Sequence, residues 1–117
     1  MLKRRYARAR PRHEPGSMNQ TETAYRDHLE LMKRSGEIID YKFEAMKLRL
    51  AKKTFYTPDF LVTAADNTLE LHEVKGIWED DARVKIKVAA ETFPIFRFIA
   101  IQKKAKKLGG GWKVEEF

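Results

Sequence analysis

Two strand-like segments that flank a short turn constrain the fold of this chain more than any other feature. Residues 60–63 and 68–74 are rich in strand-forming side chains, and the polar stretch between them, centred on Asp66, has turn-forming chemistry. If the turn centres on Asp66, the strands pair antiparallel and Asp59 lies directly opposite Glu73, with about 4.5–5.5 Å between Cβ atoms. A bulge in the turn would shift this register by one residue. The sequence therefore predicts a β-hairpin that brings two carboxylates together.

The alternation of side chains along the second strand predicts which residues share a face. Glu73 and Lys75 lie on one face, together with Asp59 if the register holds, whereas His72 and Val74 lie on the other. Two converging carboxylates make a suitable site for a hard cation such as Mg²⁺, and Lys75 could then orient or help deprotonate an attacking water. The alternative is a solvated strand face with a weak ion pair, which is the commoner origin of a Glu-x-Lys pattern.

Composition limits the size, environment and partners of the protein. With 117 residues, of which 43% are hydrophobic, the chain is long enough for one small domain with one site. Its formal net charge of +7 favours an anionic partner, with nucleic acid ahead of a membrane surface, and a charge that serves only solubility is the alternative. No cysteine is present, which excludes disulfides, thiolate zinc sites and a cysteine nucleophile. The apolar run 95–101 is too short to span a bilayer and residues 1–17 do not resemble a signal peptide, so we expect an intracellular protein without membrane contact.

The N-terminal segment, residues 1–17, is predicted to be a flexible basic arm. Six basic residues precede its first acid, Glu14, and neither helical nor strand periodicity is present. Such an arm could follow DNA phosphates, and a solvated terminus without a specific role is an equal alternative. Residues 18–117 then form a single domain. The candidate DNA-binding residues of the arm are Arg4, Arg5 and Arg8.

A helix is predicted over residues 19–35, where apolar side chains recur at helical spacing. Glu22 precedes Tyr25 by three residues and therefore lies on the core-facing stripe. Because burial of an unpartnered acid is costly, Glu22 could reach a metal at the hairpin. Asn19 and Glu22 also match the spacing of a capping box, in which Glu22 bonds only the backbone at the helix start. The residues alone leave these two interpretations evenly balanced.

The remaining periodicity completes an α/β fold with a small mixed β-sheet flanked by helices. Residues 38–50 are predicted to form a strand with a bend or bulge near Glu44, where the apolar phase changes. A helix is predicted over residues 80–93, although part of this segment also alternates as a strand would. The apolar run 95–101 then forms a buried parallel strand, and residues 112–117 could add an edge strand.

The order of these motifs resembles the PD-(D/E)XK nuclease superfamily. The blocks Tyr56-Thr57-Pro58-Asp59-Phe60-Leu61 and Glu73-Val74-Lys75-Gly76-Ile77-Trp78 look like those of the phage endonuclease I type of Holliday junction resolvase, and the resemblance covers roughly residues 19–102. It implies a restriction-endonuclease-like core and a Mg²⁺ or Mn²⁺ cofactor. The residues that it implies for the site are Asp59 and Glu73 as metal ligands, Lys75 as the catalytic lysine, Glu22 as a further acid at the metal, and the Val74 carbonyl as a metal contact.

The same resemblance implies the activity and the assembly. We expect a metal-dependent endodeoxyribonuclease that hydrolyses phosphodiester bonds of branched DNA as a homodimer, in the host cytoplasm if the protein is phage-encoded. The segment between Asp59 and Glu73 looks longer than in endonuclease I, and the chain after Ile101 ends differently. A general or nicking phage nuclease on the same core is therefore an alternative, as is a non-catalytic DNA-binding module. The predicted DNA contacts of the domain are Arg83, Lys85, Lys87, Lys103 and Lys104.

Overall fold

A computed structural model describes residues 16–117, which form two α-helices and seven β-strands. In chain order these are α1 (Gln20–Ser35), β1 (Ile38–Phe43), β2 (Leu48–Ala51), β3 (Thr54–Tyr56), β4 (Phe60–Ala64), β5 (Leu69–Lys75), α2 (Asp80–Thr92), β6 (Arg97–Lys103) and β7 (Trp112–Glu116), with a short 3-10 turn at Lys106–Leu108. The basic residues predicted to bind DNA from the N-terminal arm lie outside the described residues; they are Arg4, Arg5 and Arg8.

Five of the strands form a mixed sheet, and the other two form a separate hairpin. The sheet has the order β1-β4-β5-β6-β7, whereas β2 pairs only with β3. Strands β5 and β6 run parallel because α2 crosses over between them, and every other neighbouring pair is antiparallel. The predicted α/β class, with a small mixed sheet flanked by helices, is confirmed.

Two buried clusters on opposite faces of the sheet hold the layers together. On one face, α1 packs through Tyr25 and Leu29. On the other face, α2 packs through Ile86, and the β2–β3 hairpin packs through Leu48 and Tyr56. Strand β6 is covered on both faces, as its continuous apolar run predicts, and it contributes alternate side chains to the two clusters, namely Ile99 and Ile101 to the first and Phe98 and Ala100 to the second.

The β4–β5 hairpin has the register that the sequence predicts. Phe60 faces His72, and the pairing continues without a shift to the turn. Asn67 has a φ of 70°, a left-handed conformation that closes the short turn while the register is retained. Asp59 and Glu73 occupy the next positions outward along this ladder. The hairpin therefore brings these two acids to the same end of neighbouring strands.

Residues 38–50 differ from the single bent strand that the sequence predicts. Strand β1 ends at Phe43, and Glu44 follows with a φ of 47°. The N–H of Glu44 donates to the carbonyl oxygen of Asp59 at 2.8 Å, and beyond this point the chain leaves the main sheet. The apolar phase changes here because Leu48 packs with α2, on the sheet face opposite to α1.

The other predicted elements are confirmed within one or two residues. Helix α1 ends at Ser35 and is followed by Gly36 with a φ of 84°. Helix α2 ends just before Phe93 and Pro94, and residues 112–116 add the edge strand β7. No helix within residues 16–117 is long and apolar enough to cross a membrane.

Candidate active site

Asp59 and Glu73 are buried beside each other, where β4 begins and β5 approaches its end. Their exposed fractions are only 8% and 9%. Oδ2 of Asp59 accepts a hydrogen bond from the N–H of Val74 at 2.8 Å, and Oε1 of Glu73 accepts one from the N–H of Asp59 at 3.3 Å. Each acid is therefore anchored to the backbone of the segment that carries the other.

Tyr56 adds a third anchor and was not among the site residues predicted from the sequence. Its hydroxyl donates to Oε1 of Glu73 at 2.9 Å, and its ring is buried against α2. Burial, followed by the charge of Glu73, raises the pKa of Tyr56, so that the hydroxyl stays protonated and remains a donor. The available signal was its position three residues before Asp59, at the start of the Tyr-Thr-Pro-Asp block.

Lys75 lies at the boundary between this buried pair and solvent. Its Nζ is 3.6 Å from Oε2 of Glu73, and its side chain is 41% exposed. Two cavities, of about 690 Å³ and about 220 Å³, are both lined by Lys75 and Lys85, and the smaller one reaches Tyr56 and Glu73. These two cavities, called the cleft below, give an external ligand a route to the Lys75 amine.

Glu22 approaches the same place from α1. It is 8% exposed, its Oε1 accepts from the N–H of Asn19 at 3.0 Å, and its own N–H donates to Oδ1 of Asn19 at 2.8 Å. The predicted capping box is thus present. The charge of Glu22 also raises the pKa of Asp59, so the two carboxyl groups lie near each other. The capping interpretation is therefore confirmed, and contact between Glu22 and a metal stays a prediction.

The accumulation of acids in a buried space changes their protonation. Burial raises the pKa of Asp59 to about 9, and the charges of Glu73 and Glu22 act in the same direction. Burial also raises the pKa of Glu73, against the opposing effect of Lys75. Because two adjacent buried carboxylates resist ionising together, the pair retains a proton near neutral pH unless a cation replaces it.

The donor set has the chemistry of a site for a hard cation, although the carboxylates are not assembled around one point. Within residues 16–117, no group of three or more His, Asp or Glu side chains is arranged to hold a metal ion. One oxygen of Asp59 and one of Glu73 are engaged by protein donors instead. Mg²⁺ and Mn²⁺ favour oxygen ligands, and neighbouring carboxylates supply both the oxygens and the negative charge that such an ion neutralises. Asp59, Glu73 and Glu22 are the residues that would hold such an ion.

The basic residues predicted to contact DNA lie in different surroundings. Lys85 lines the cleft, and its Nζ lies 5.9 Å from the ring centroid of Tyr56. Arg83 instead forms a bidentate pair with Glu115, at 2.9 and 2.7 Å, and lies outside the lining of the cleft. The other three predicted contacts are exposed, on α2 or at the end of β6, and they are Lys87, Lys103 and Lys104.

A buried polar network fixes α1 next to these acids. The hydroxyl of Tyr25 bonds Nδ1 of His72 at 2.7 Å, and Nε2 of His72 bonds Oε1 of Glu70 at 2.8 Å. Arg97 closes the network by bonding Oε2 of Glu70 at 3.1 Å. The sequence places His72 on the strand face opposite to Glu73, and the structure shows that it bridges α1 to the sheet on that face. Because Glu22 lies one helical turn before Tyr25, this network anchors the turn that carries Glu22.

Comparison with known proteins identifies a family but no characterised relative. No curated protein and no solved structure matches the chain. A family model described as "Protein of unknown function (DUF1064)" matches residues 17–109. This range includes α1, both hairpins and α2, and with them Glu22, Asp59, Glu73 and Lys75. The chain therefore belongs to the DUF1064 family.

Proposed function

We propose that this protein is a divalent-metal-dependent endodeoxyribonuclease with a restriction-endonuclease-like core. The observation that carries the proposal is the burial of Asp59 and Glu73 beside each other at the end of a cleft, with Lys75 two residues further along β5. A solvated Glu-x-Lys strand face would expose its acids, and these acids are more than nine-tenths buried. Adjacent buried acids destabilise a fold, so their presence at a cleft favours a functional role.

The chain's own residues would divide the work of phosphodiester hydrolysis. A divalent ion bound by Asp59, Glu73 and Glu22 would polarise a phosphate oxygen and acidify a water molecule. Lys75, which faces the cleft, is placed to orient that water and to stabilise the negative charge that develops on the phosphate. Tyr56 is a positioning residue, because its hydroxyl holds one oxygen of Glu73 while the other oxygen faces Lys75.

Branched DNA is the proposed substrate and a homodimer the proposed assembly. Both rest on the resemblance of the blocks around Asp59 and Glu73 to those of junction resolvases. A four-way junction has two-fold symmetry, so paired cuts require paired sites. Lys85 would bind a substrate phosphate within the cleft, because it lines both cavities together with Lys75. A general or nicking nuclease would use the same site residues and would differ only in the DNA that it cuts.

Cleavage assays with Lys75→Ala test the proposed chemistry. We expect the wild-type protein to cut DNA with Mg²⁺ or Mn²⁺ and to be inactive in EDTA, and the variant to cut at least about a hundredfold more slowly, because it loses a group that acts in the transition state. Supercoiled, linear and four-way-junction DNA should be compared under identical conditions. Lys42→Ala removes the same charge from an exposed position on the edge strand β1 and should retain activity.

Two results would contradict this proposal. Metal-independent DNA binding without cleavage, unaffected by Lys75→Ala, would identify a non-catalytic binding module. Equal cleavage rates for the wild type and the Lys75→Ala variant would show that Lys75 does not take part in catalysis. Thermal unfolding of both lysine variants checks that the comparison is made between folded proteins.

A further inference from the structure

The β2–β3 hairpin concentrates positive charge within a domain that has little net charge. Residues 1–15 account for five of the seven net positive charges of the chain, which leaves +2 for residues 16–117. Residues 45–58, which span the hairpin, contain no acid. They contain four basic residues, all exposed, which are Lys47, Arg49, Lys52 and Lys53.

The charge of this hairpin is not compensated by the rest of the domain. None of its four basic side chains forms an ion pair with an acid among residues 16–117, whereas Lys33, Arg34, Arg83 and Arg97 all do. The lysines between β6 and β7 are unpaired as well within the described part of the chain, and they are Lys104, Lys106 and Lys107. Arg49 donates only to the carbonyl oxygen of Ala51, at 3.4 Å. Such uncompensated charge on one small element is the electrostatic footprint of an anionic partner.

Packing gives the hairpin a fixed charged side. Leu48 faces Tyr56 across the hairpin, and both side chains are buried against α2. Arg49 faces Phe55 on the opposite side, where Phe55 is 42% exposed. The Nζ of Lys47 lies 4.6 Å from the ring centroid of Phe55, which restrains the amine at the surface. The basic groups therefore project outward from an element that the core holds in place.

The hairpin is continuous with the candidate active site. Tyr56, the last residue of β3, lines the cleft and bonds Glu73. Lys53, at the hairpin tip, is three residues earlier, which is roughly 10 Å along an extended strand. Because one DNA strand rises 3.4 Å per nucleotide, this distance spans about three nucleotides. The two lysines of the tip, Lys52 and Lys53, are therefore separated along the chain by one short strand, β3, from the cleft that Lys75 and Lys85 line.

We propose that the β2–β3 hairpin is a DNA-binding element that contacts backbone phosphates about three nucleotides from the scissile phosphate. The position of the scissile phosphate rests on the proposed nuclease function, whereas the binding itself requires no catalysis. The hairpin would hold the flanking duplex while the cleft receives the bond to be cut. Phosphate contacts of this kind contribute affinity for any DNA sequence, with a strong dependence on salt.

A pair of charge-matched variants of the full-length protein tests the proposal. Lys52→Gln/Lys53→Gln removes two charges from the hairpin tip, and Lys33→Gln/Arg34→Gln removes two charges from the end of α1, on the opposite face of the sheet. Binding to a DNA duplex is measured in EDTA, so that no metal-dependent cleavage occurs. At about 0.1 M salt we expect the hairpin variant to bind at least about tenfold more weakly and its salt slope to fall by about 1.8, or 0.9 for each lost contact. The α1 variant should bind within about twofold of the wild type.

The outcomes separate this proposal from the nuclease proposal. Equal affinities of the two variants, whether both are unchanged or both reduced, would overturn the role of the hairpin, as would wild-type protein that does not bind DNA. If the hairpin variant alone loses affinity but the wild type never cuts DNA, the hairpin still binds DNA and the nuclease proposal fails. If wild type and hairpin variant bind and cut DNA equally, the nuclease proposal stands and the hairpin proposal fails. Cooperative thermal unfolding of each variant, compared with that of the wild type, checks that both variants retain the fold.

Discussion

The carboxyl group of Asp59 lies where its ionised form is unfavourable, since it is buried and has Glu73 and Glu22 as neighbours. A single backbone N–H, that of Val74, opposes this effect by donating to Oδ2. Near neutral pH and without a cation, the native state therefore keeps a proton on Asp59 that the unfolded chain releases. Stability in the absence of metal should depend on pH through this residue.

The sign of that dependence follows from the raised pKa. The unfolded Asp59 releases its proton near pH 4 and the native one near pH 9, so the native state binds more protons between these values. The free energy of unfolding in EDTA should therefore fall as pH rises from about 5 to about 8, by up to about 1.4 kcal/mol per pH unit. Urea unfolding at several pH values measures this slope.

Asp59→Asn is the matched control, because an amide oxygen can still accept from Val74 while the charge is lost. Its stability should vary less with pH than that of the wild type. Exposed carboxylates with lowered pKa values, such as Glu30 and Asp66, also make the free energy of unfolding depend on pH, but only in more acidic solution. Parallel pH profiles for the variant and the wild type would contradict the assigned protonation of Asp59.

Addition of Mg²⁺ should stabilise the wild type most at high pH, where the ion no longer competes with the proton.

At the scale of elements, α1 performs a structural task and a proposed chemical task at the same end. Its first turn is closed by the capping box between Asn19 and Glu22, and the turn that follows is tied to β5 through Tyr25 and His72. The orientation of Glu22 towards Asp59 thus depends on the position of the whole helix. A weaker cap should loosen the helix end and the acid together.

Asn19→Ala tests this coupling. Loss of the side-chain acceptor should lower the free energy of unfolding by about 1 kcal/mol, since one N–H of the first helical turn loses its partner. If Glu22 holds the metal, the variant should also need more Mg²⁺ for half-maximal cleavage. Asn19→Ser restores a capping oxygen and should recover both properties. A loss of stability with an unchanged Mg²⁺ requirement would leave Glu22 with the capping role alone.

At the scale of the whole molecule, the sheet places the site away from both of its edges. The two acids lie on the adjacent strands β4 and β5, while β1 and β7 form the edges of the sheet. Exposed apolar side chains occur on both edge strands, with Ile39 48% and Val114 61% exposed. Within residues 16–117, no strand pairs with the outer side of β1 or β7, so a dimer formed along either edge would not use the strands that carry the acids.

The proposed dimer and its substrate make a joint prediction. The solution mass should be twice the 13.7 kDa of one chain, and a four-way junction should be cut in both opposing strands faster than a linear duplex of the same sequence. Light scattering measures the mass, and gel analysis of end-labelled junctions detects the paired cuts. A monomer that cuts junction and duplex equally well would favour the general or nicking nuclease.

Local chemistry determined much of this protein from its sequence alone. The alternation of β4 and β5 and the turn at Asp66 are properties of neighbouring residues, and they were sufficient to predict the register that brings Asp59 to Glu73. The capping spacing of Asn19 and Glu22 is equally local, and it is present in the structure.

Only the tertiary structure decided which distant elements complete the site. Tyr56 bonds Glu73 because the chain leaves the main sheet at Glu44 and returns as a separate hairpin against α2. Arg83 turns to Glu115 because β7 pairs beside β6, although its position in the sequence is as close to the site as that of Lys85. These contacts depend on how separate layers pack, and packing between segments distant in sequence leaves no periodic pattern along the chain.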